Sequence, residues 1–328
     1  MRELIANLTG QITEAISIGK SAKFNAPSKK INSILVCGLG GSGIGGKIIS
    51  QLFQDELTVP FLVSNDYVLP SWVNENTLVI ASSYSGNTEE TIYAVKDCIK
   101  RNAEVAVITS GGELHNMAIQ NNWNHAVVPG GQQPRAMLAY SLVQQVFLLS
   151  RYQLIDKKNI TELDELADFI GKEADRIQEE AKLIAKQIHG KTPIIYCAAG
   201  NEGLAIRFRQ QLNENAKVLC WHHVLPEMTH NELVGWAGGT KDLAAIYLKA
   251  NYDHERTAYR WNICADVIRK RTDTILTIDS AGITRLKQNF YFIHLTDWIS
   301  IYLADLKQVD PVEVDIIGHL KSEMSKKA

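Results

Sequence analysis

Short apolar runs of strand length alternate along this chain with stretches whose apolar positions recur at helical spacing. Residues 1–30 read as a helix and a polar lead-in ending at Pro27-Ser28-Lys29-Lys30. Strands then fit 32–37, 60–64, 77–81, 104–109 and 125–128, with helices at 43–54, 88–101, 114–121 and 136–151. Such alternation with short turns predicts an α/β fold, a parallel, doubly wound sheet flanked by helices. Residues 161–189 read as one long charged helix linking two domains, with Leu163, Leu166, Phe169 and Ile170 on one face.

The second half begins the pattern again. Pro193-Ile194-Ile195-Tyr196-Cys197 is a strand, and Ala198-Ala199-Gly200-Asn201-Glu202-Gly203 is a turn into a helix. At an offset of 160, Cys37, Gly40, Gly43, Gln51 and Leu52 meet Cys197, Gly200, Gly203, Gln211 and Leu212, five matches in sixteen positions. Two tandem copies of one α/β domain leave this kind of trace. Further strands fit 217–221, 242–248 and 274–278, helices fit 254–271 and 289–306, and a C-terminal helix fits 311–328. The expected domains are 1–155 and 156–328.

Composition narrows the class. A chain of 328 residues, 45% hydrophobic, can bury the cores of two domains. Lys+Arg 34 against Asp+Glu 36 leaves a net charge of −2, which gives no reason to expect nucleic acid or an anionic membrane as partner. Apolar stretches such as Leu243 to Leu248 are far short of a membrane span, and Met1-Arg2-Glu3-Leu4 lacks a signal pattern. Five cysteines, an odd number without paired spacing, fit buried thiols rather than zinc or disulfides, and a reducing cytoplasm.

Two polar loops carry the chemistry. Gly38-Leu39-Gly40-Gly41-Ser42-Gly43 follows Ile34-Leu35-Val36-Cys37, and Ser82-Ser83-Tyr84-Ser85-Gly86-Asn87-Thr88-Glu89-Glu90 follows Leu78-Val79-Ile80-Ala81. Each reads as a strand entering a turn that opens a helix, which offers free backbone N–H groups to a phosphate. The second loop adds the hydroxyls of Ser83, Ser85 and Thr88 but has no Lys, Arg or Gly-Lys-Ser/Thr ending, so it is no P-loop. It suits one phosphoester. The plain alternative is helix capping by Thr88 with Glu89, Glu90 and Thr91. The second turn, at 198–203, has no serine and is expected to have lost the phosphate.

Three further residues stand out. Glu214, in Asn213-Glu214-Asn215, and His230, in Pro226-Glu227-Met228-Thr229-His230-Asn231-Glu232, suit acid–base work beside strand ends. A solvated helix end and a loop imidazole bonded to backbone are the ordinary alternatives. Arg135 follows Pro134 at the mouth of a helix, where a cation opposes the helix dipole and suits a developing oxyanion.

The segment Ser82 to Thr91 closely resembles the phosphosugar-binding loop of sugar isomerase (SIS) domains. Together with Gly38–Gly43, Pro134-Arg135, Asn213-Glu214-Asn215 and Pro226 to Glu232, in this order, it resembles the bifunctional phosphoglucose/phosphomannose isomerase family over most of the chain. The resemblance implies two tandem SIS-type domains and reversible aldose–ketose isomerisation of glucose 6-phosphate and mannose 6-phosphate with fructose 6-phosphate. It implies that Gly41, Ser42, Ser83, Ser85 and Thr88 hold the 6-phosphate and that Glu214 moves a proton between C1 and C2 through a cis-enediol. Arg135 would stabilise the intermediate, and His230, from the neighbouring subunit of a homodimer, would open the ring with help from Lys321. No metal or organic cofactor is implied.

One departure stands out. Many members read Asp-Pro-Thr-Pro before the C-terminal lysine, where this chain has Asp310-Pro311-Val312-Glu313, which bears on the mannose activity. Two other classes use parts of the same sequence. A phosphosugar-binding regulator needs only the hydroxyl loops. A nicotinamide oxidoreductase would use Gly38-x-Gly40-x-x-Gly43 and Asp66. An isomerase of another phosphosugar is a rival within the same class.

Overall fold

The computed structural model describes residues 1–326. The first half opens with α1 (Arg2–Ala6) and α2 (Leu8–Ser21). Then follow β1 (Ser33–Cys37), α3 (Gly40–Leu52), β2 (Phe61–Ser64), β3 (Thr77–Ser82), α4 (Glu89–Lys100), β4 (Glu104–Thr109), α5 (Gly112–Gln120), β5 (Asn124–Val127) and α6 (Leu138–Arg151). Helices α7 (Lys158–Asp164) and α8 (Leu166–Ile188) lead to the second half. It runs β6 (Thr192–Ala198), α9 (Glu202–Ala216), β7 (Trp221–Leu225), α10 (Glu232–Gly235), β8 (Leu243–Lys249), α11 (Glu255–Ile268), β9 (Ile275–Asp279), α12 (Arg285–Lys307) and α13 (Asp315–Met324).

All strand pairs are parallel, in a five-stranded sheet of order β2-β1-β3-β4-β5 and a four-stranded sheet of order β7-β6-β8-β9. The two halves therefore share one topology, and among the described residues the second lacks the last strand. The register agrees with the repeat, since Cys37 pairs with Ser64 and Ala81 while Cys197 pairs with Val224 and Leu248. Both sheets are buried on both faces, as parallel sheets require. Leu35, Val79, Val95 and Val107 fill the outer face of the first, and Tyr196, Tyr247 and Trp261 that of the second. Between the sheets one apolar core runs continuously from Ile12 and Val143 through Ile177 and Ile184 to Phe208, Phe290 and Trp298. Helix α12 is buried nearly all round, from Leu286 to Ala304, so it serves as the central rod of that core.

Three expectations need correction. The helix expected over 161–189 is broken at Glu165, which closes α7 with φ −89 and ψ −11 before α8 begins. The strand expected at 217–221 lies instead at Trp221–Leu225, because Lys217 takes the left-handed conformation, φ 53 and ψ 45, and turns the chain. The C-terminal helix spans Asp315–Met324, and of the range 311–328 the last two residues lie outside the described ones. Among the described residues no helix is long and apolar enough to cross a membrane.

Candidate active site

Strands β1 and β3 are neighbours in the first sheet, yet their helices leave to opposite faces: Ile48 of α3 joins the central core and Val95 of α4 the outer cluster. A crevice therefore opens at the carboxyl ends of these two strands, where open α/β sheets bind ligands. Both hydroxyl loops border it. A Cβ at Gly38 would lie 2.6 Å from the Ser82 carbonyl oxygen, so glycine is what lets the loops touch. The Tyr84 N–H donates to Ser42 Oγ at 3.3 Å, and the Tyr84 hydroxyl accepts from the Gln132 N–H at 3.2 Å. Tyr84 thus ties together all three segments that line the crevice.

Thr88 occupies the N-cap position of α4, yet its side chain makes no capping bond. Its hydroxyl lies 2.7 Å from the buried Ser83 Oγ instead. The plain-capping alternative therefore fails at the residue on which it rested. Ser85 Oγ accepts from the Asn87 N–H at 3.2 Å. Gly86 has φ +69, and a Cβ there would come within 1.8 Å of the Gly111 carbonyl oxygen, so this turn tolerates only glycine.

Arg135 lies in a short turn, Pro134–Ala136, after β5 and just before α6, and is 4% exposed. Gly41 packs on it, with a would-be Cβ 3.6 Å from the Pro134 carbonyl oxygen. Every arm of the guanidinium is engaged. Nε donates to Asn215 Oδ1 at 2.7 Å, and Nη2 donates to the carbonyls of Pro311 and Val312 at 2.6 and 3.2 Å. Nη1 faces Gln133 Oε1 at 3.2 Å and Glu214 Oε2 at 3.4 Å. Burial draws its basicity down and the Glu214 carboxylate opposes that, and an arginine stays charged throughout.

Glu214 projects from the last turn of α9 with its side chain 30% exposed. The buried face of α9 carries polar groups at four-residue spacing, Arg207, Gln211 and Asn215. They meet α12. Arg207 Nη2 donates to both Asp297 carboxylate oxygens at 3.0 and 2.9 Å and to the Arg135 carbonyl at 2.6 Å. Gln211 Nε2 donates to Asp297 Oδ1 at 2.7 Å, and Asn215 Nδ2 to Ser300 Oγ at 2.9 Å. Burial pushes the Asp297 carboxyl up, and Arg207 and Gln211 hold it back. A guanidinium in the first half is thus held by side chains of the second. Sequence reasoning missed Tyr84, Asn215, Arg207 and Asp297. The polar stripe on an otherwise apolar helix face was the available signal for two of them.

Two expected residues are not brought to this site within one chain. His230 is exposed in a short turn that follows the carboxyl end of β7. Helix α9 runs back along its sheet, so Glu214 sits toward the amino ends of the strands, separated from His230 by about 20 Å of helix length. Lys321 is exposed on α13, a helix with no buried residue, which starts two residues after Glu313. Asp66 is exposed, and its Oδ1 accepts from the Tyr67 N–H at 2.6 Å.

Two doubly wound domains of one strand order, with a hydroxyl-lined crevice on the first and a carboxylate–guanidinium pair where the halves meet, have the architecture of a SIS-type sugar isomerase. The SIS domain family model matches residues 29–150, and the model described as the bacterial phospho-glucose isomerase C-terminal SIS domain matches residues 177–324. A bifunctional phosphoglucose/phosphomannose isomerase of Caldicellulosiruptor bescii is 36% identical over 99% of this chain and 99% of its own. One from Aquifex aeolicus is 34% identical over 90% and 91%. The C-terminal domain of glucosamine-fructose-6-phosphate aminotransferase from Francisella tularensis shares the fold at TM-score 0.76 and 15% identity, over 95% of this chain and 98% of that one. The chain belongs to the bifunctional phosphoglucose/phosphomannose isomerase family.

Proposed function

We propose that this protein interconverts glucose 6-phosphate and mannose 6-phosphate with fructose 6-phosphate. The observation that carries the reading is the 3.4 Å contact between Glu214 and Arg135 beside the hydroxyl loops. Gly41, Ser42, Ser83, Ser85 and Thr88 hold the 6-phosphate, remote from the reacting carbons, and its binding energy fixes the open chain. Glu214 removes the proton on C2 of the aldose. The electron pair of that C–H bond forms the C1–C2 double bond of a cis-enediol(ate), and the charge moves to oxygen beside Arg135. A proton passes from O2 to O1 of the intermediate, the C2–O2 bond becomes the ketone carbonyl, and Glu214 returns the abstracted proton to C1, which yields the ketose. Glucose and mannose 6-phosphates share this planar intermediate, so one base serves both if it can reach either face.

Ring opening falls to His230, which stands at the far edge of its own domain, so the partner subunit's His230 completes the site in a homodimer. Lys321 assists, on a helix that continues from the segment bonded to Arg135. The regulator reading would leave the Glu214–Arg135 pair and its buried supports without a use, and the nicotinamide reading has no role for the second loop. The test is turnover by EDTA-treated protein on each aldose phosphate, with fructose 6-phosphate quantified directly. Product from both is expected. Product from glucose 6-phosphate alone would keep the mechanism and tie Val312 to a narrower specificity, and product from neither would sink the assignment.

A further inference from the structure

The four successive carbonyls of Asp310, Pro311, Val312 and Glu313 all accept hydrogen bonds from two cations. Arg135 takes the inner two. Lys217 Nζ takes the outer two, both at 2.7 Å, and also donates to the Glu214 carbonyl at 2.8 Å. The Glu313 carboxylate adds a contact at 3.9 Å, and Lys307 Nζ donates to the Lys217 carbonyl at 2.9 Å. Lys217 closes α9 in the left-handed conformation, at a position where glycine is the default and a larger residue costs about 1 kcal/mol. Capping a helix needs one carbonyl. This ammonium reaches three, on two separate segments.

We infer that Lys217 is a positioning residue for the reaction: with Arg135 it holds the 310–313 segment against the last turn of α9 and so fixes where Glu214 and the helix that carries Lys321 can lie. The inference rests on Glu214 being the base. The Lys217 ammonium is taken up by three backbone carbonyls, so it acts through Glu214 and the 310–313 segment. Its ammonium satisfies a helix-end carbonyl that would otherwise lack a partner, on the very residue whose side chain must meet the sugar. Misplacement of a reacting group by about 1 Å costs up to about 100-fold in rate. The phosphate loops stand on other elements, so loss of Lys217 acts on turnover rather than on binding.

The test uses the full chain with Lys217→Met, Lys217→Gly and Lys217→Arg. For each, kcat and KM are measured on fructose 6-phosphate, with amide hydrogen exchange over residues 308–320 and stability in urea. Lys217→Met and Lys217→Gly should lower kcat by about 10–100-fold while KM stays within about twofold. Exchange at 311–318 should quicken in both, and Lys217→Arg should recover part of each loss. Lys217→Gly relieves the left-handed backbone, so its stability in urea separates loss of position from loss of fold. A Lys217→Met enzyme with kcat within about twofold of the unaltered protein would overturn the inference, as would unchanged exchange. If the unaltered protein itself turned over no sugar phosphate, the isomerase reading would fail, and the exchange comparison would decide the role of Lys217 in holding the segment.

Discussion

The two halves share a strand order and differ in what they do with the turn after their first strand. In the first half, Gly41 and Ser42 of the Gly38–Gly43 turn border the crevice, and among the described residues Ser42 Oγ is bonded only within the loops that line it, to the Tyr84 N–H. In the second, the equivalent turn is spent on packing. The Gly203 N–H donates to Gln51 Oε1 at 2.7 Å, and Gln51 Nε2 donates back to the Ala199 carbonyl at 2.8 Å. At the same offset Ser42 corresponds to Glu202, whose carboxylate pairs with Lys47 at 2.8 Å. The protein's own anion thus stands near the helix N-terminus where a phosphate would bind, and it would repel one. Glu214 in turn corresponds to Gln54, which lies beside Gly200 of the second turn. The chain after α3 thus meets the second half's turn, while the end of α9 meets the Pro134–Ala136 turn of the first half, where the Glu214 carboxylate faces Arg135. Of the two equivalent turns, the second is taken up by contacts between the halves.

The contrast between the halves breaks most sharply at the base. Glu214→Gln makes the working site resemble its silent counterpart, and kcat should fall by about 10³-fold or more with phosphosugar binding retained, read by calorimetry beside turnover. Near-normal turnover would remove Glu214 from the mechanism. Arg135→Lys keeps the charge but cannot span Asn215 and two carbonyls together, so a loss of about 10²–10³-fold is expected in kcat. His230→Ala should hurt cyclic substrate more than open-chain substrate. Mixed with Glu214→Gln under conditions of subunit exchange, it should regain part of the lost activity, and no recovery after confirmed exchange would argue against a shared site. Glu202→Ser restores the lost hydroxyl to the silent turn and should change little. Gln51 still occupies the turn, and a half-exposed ion pair contributes under about 1 kcal/mol, measurable by urea unfolding. Phosphate binding at that turn would refute the account of why it is silent.

The strands of the first half and both loops were legible because buried parallel strands leave continuous apolar runs and each turn carries its glycines. The repeat was legible through Cys37 and Cys197, which hold the same register position in the two sheets. Strand β7 was misplaced because Val218-Leu219-Cys220 is apolar, while the conformation that turns the chain there belongs to a lysine rather than a glycine. The break at Glu165 carries no proline or glycine to announce it. Asn215 and Asp297 stayed hidden for another reason. Their importance lies in a partner 80 or more residues away, a relation that spacing along one helix cannot show.

The continuous core has a consequence for how the enzyme comes into being. On the proposed assignment the phosphate cradle and the base belong to different halves, and the apolar cluster that joins those halves includes α2, α6, α8 and α12. A chain with one half folded holds either hydroxyls without a carboxylate or a carboxylate without hydroxyls. Such an intermediate, of the kind expected for a chain this long, can do no premature chemistry on a captured sugar. On that assignment catalytic competence requires both halves folded and docked, and it is lost when they part.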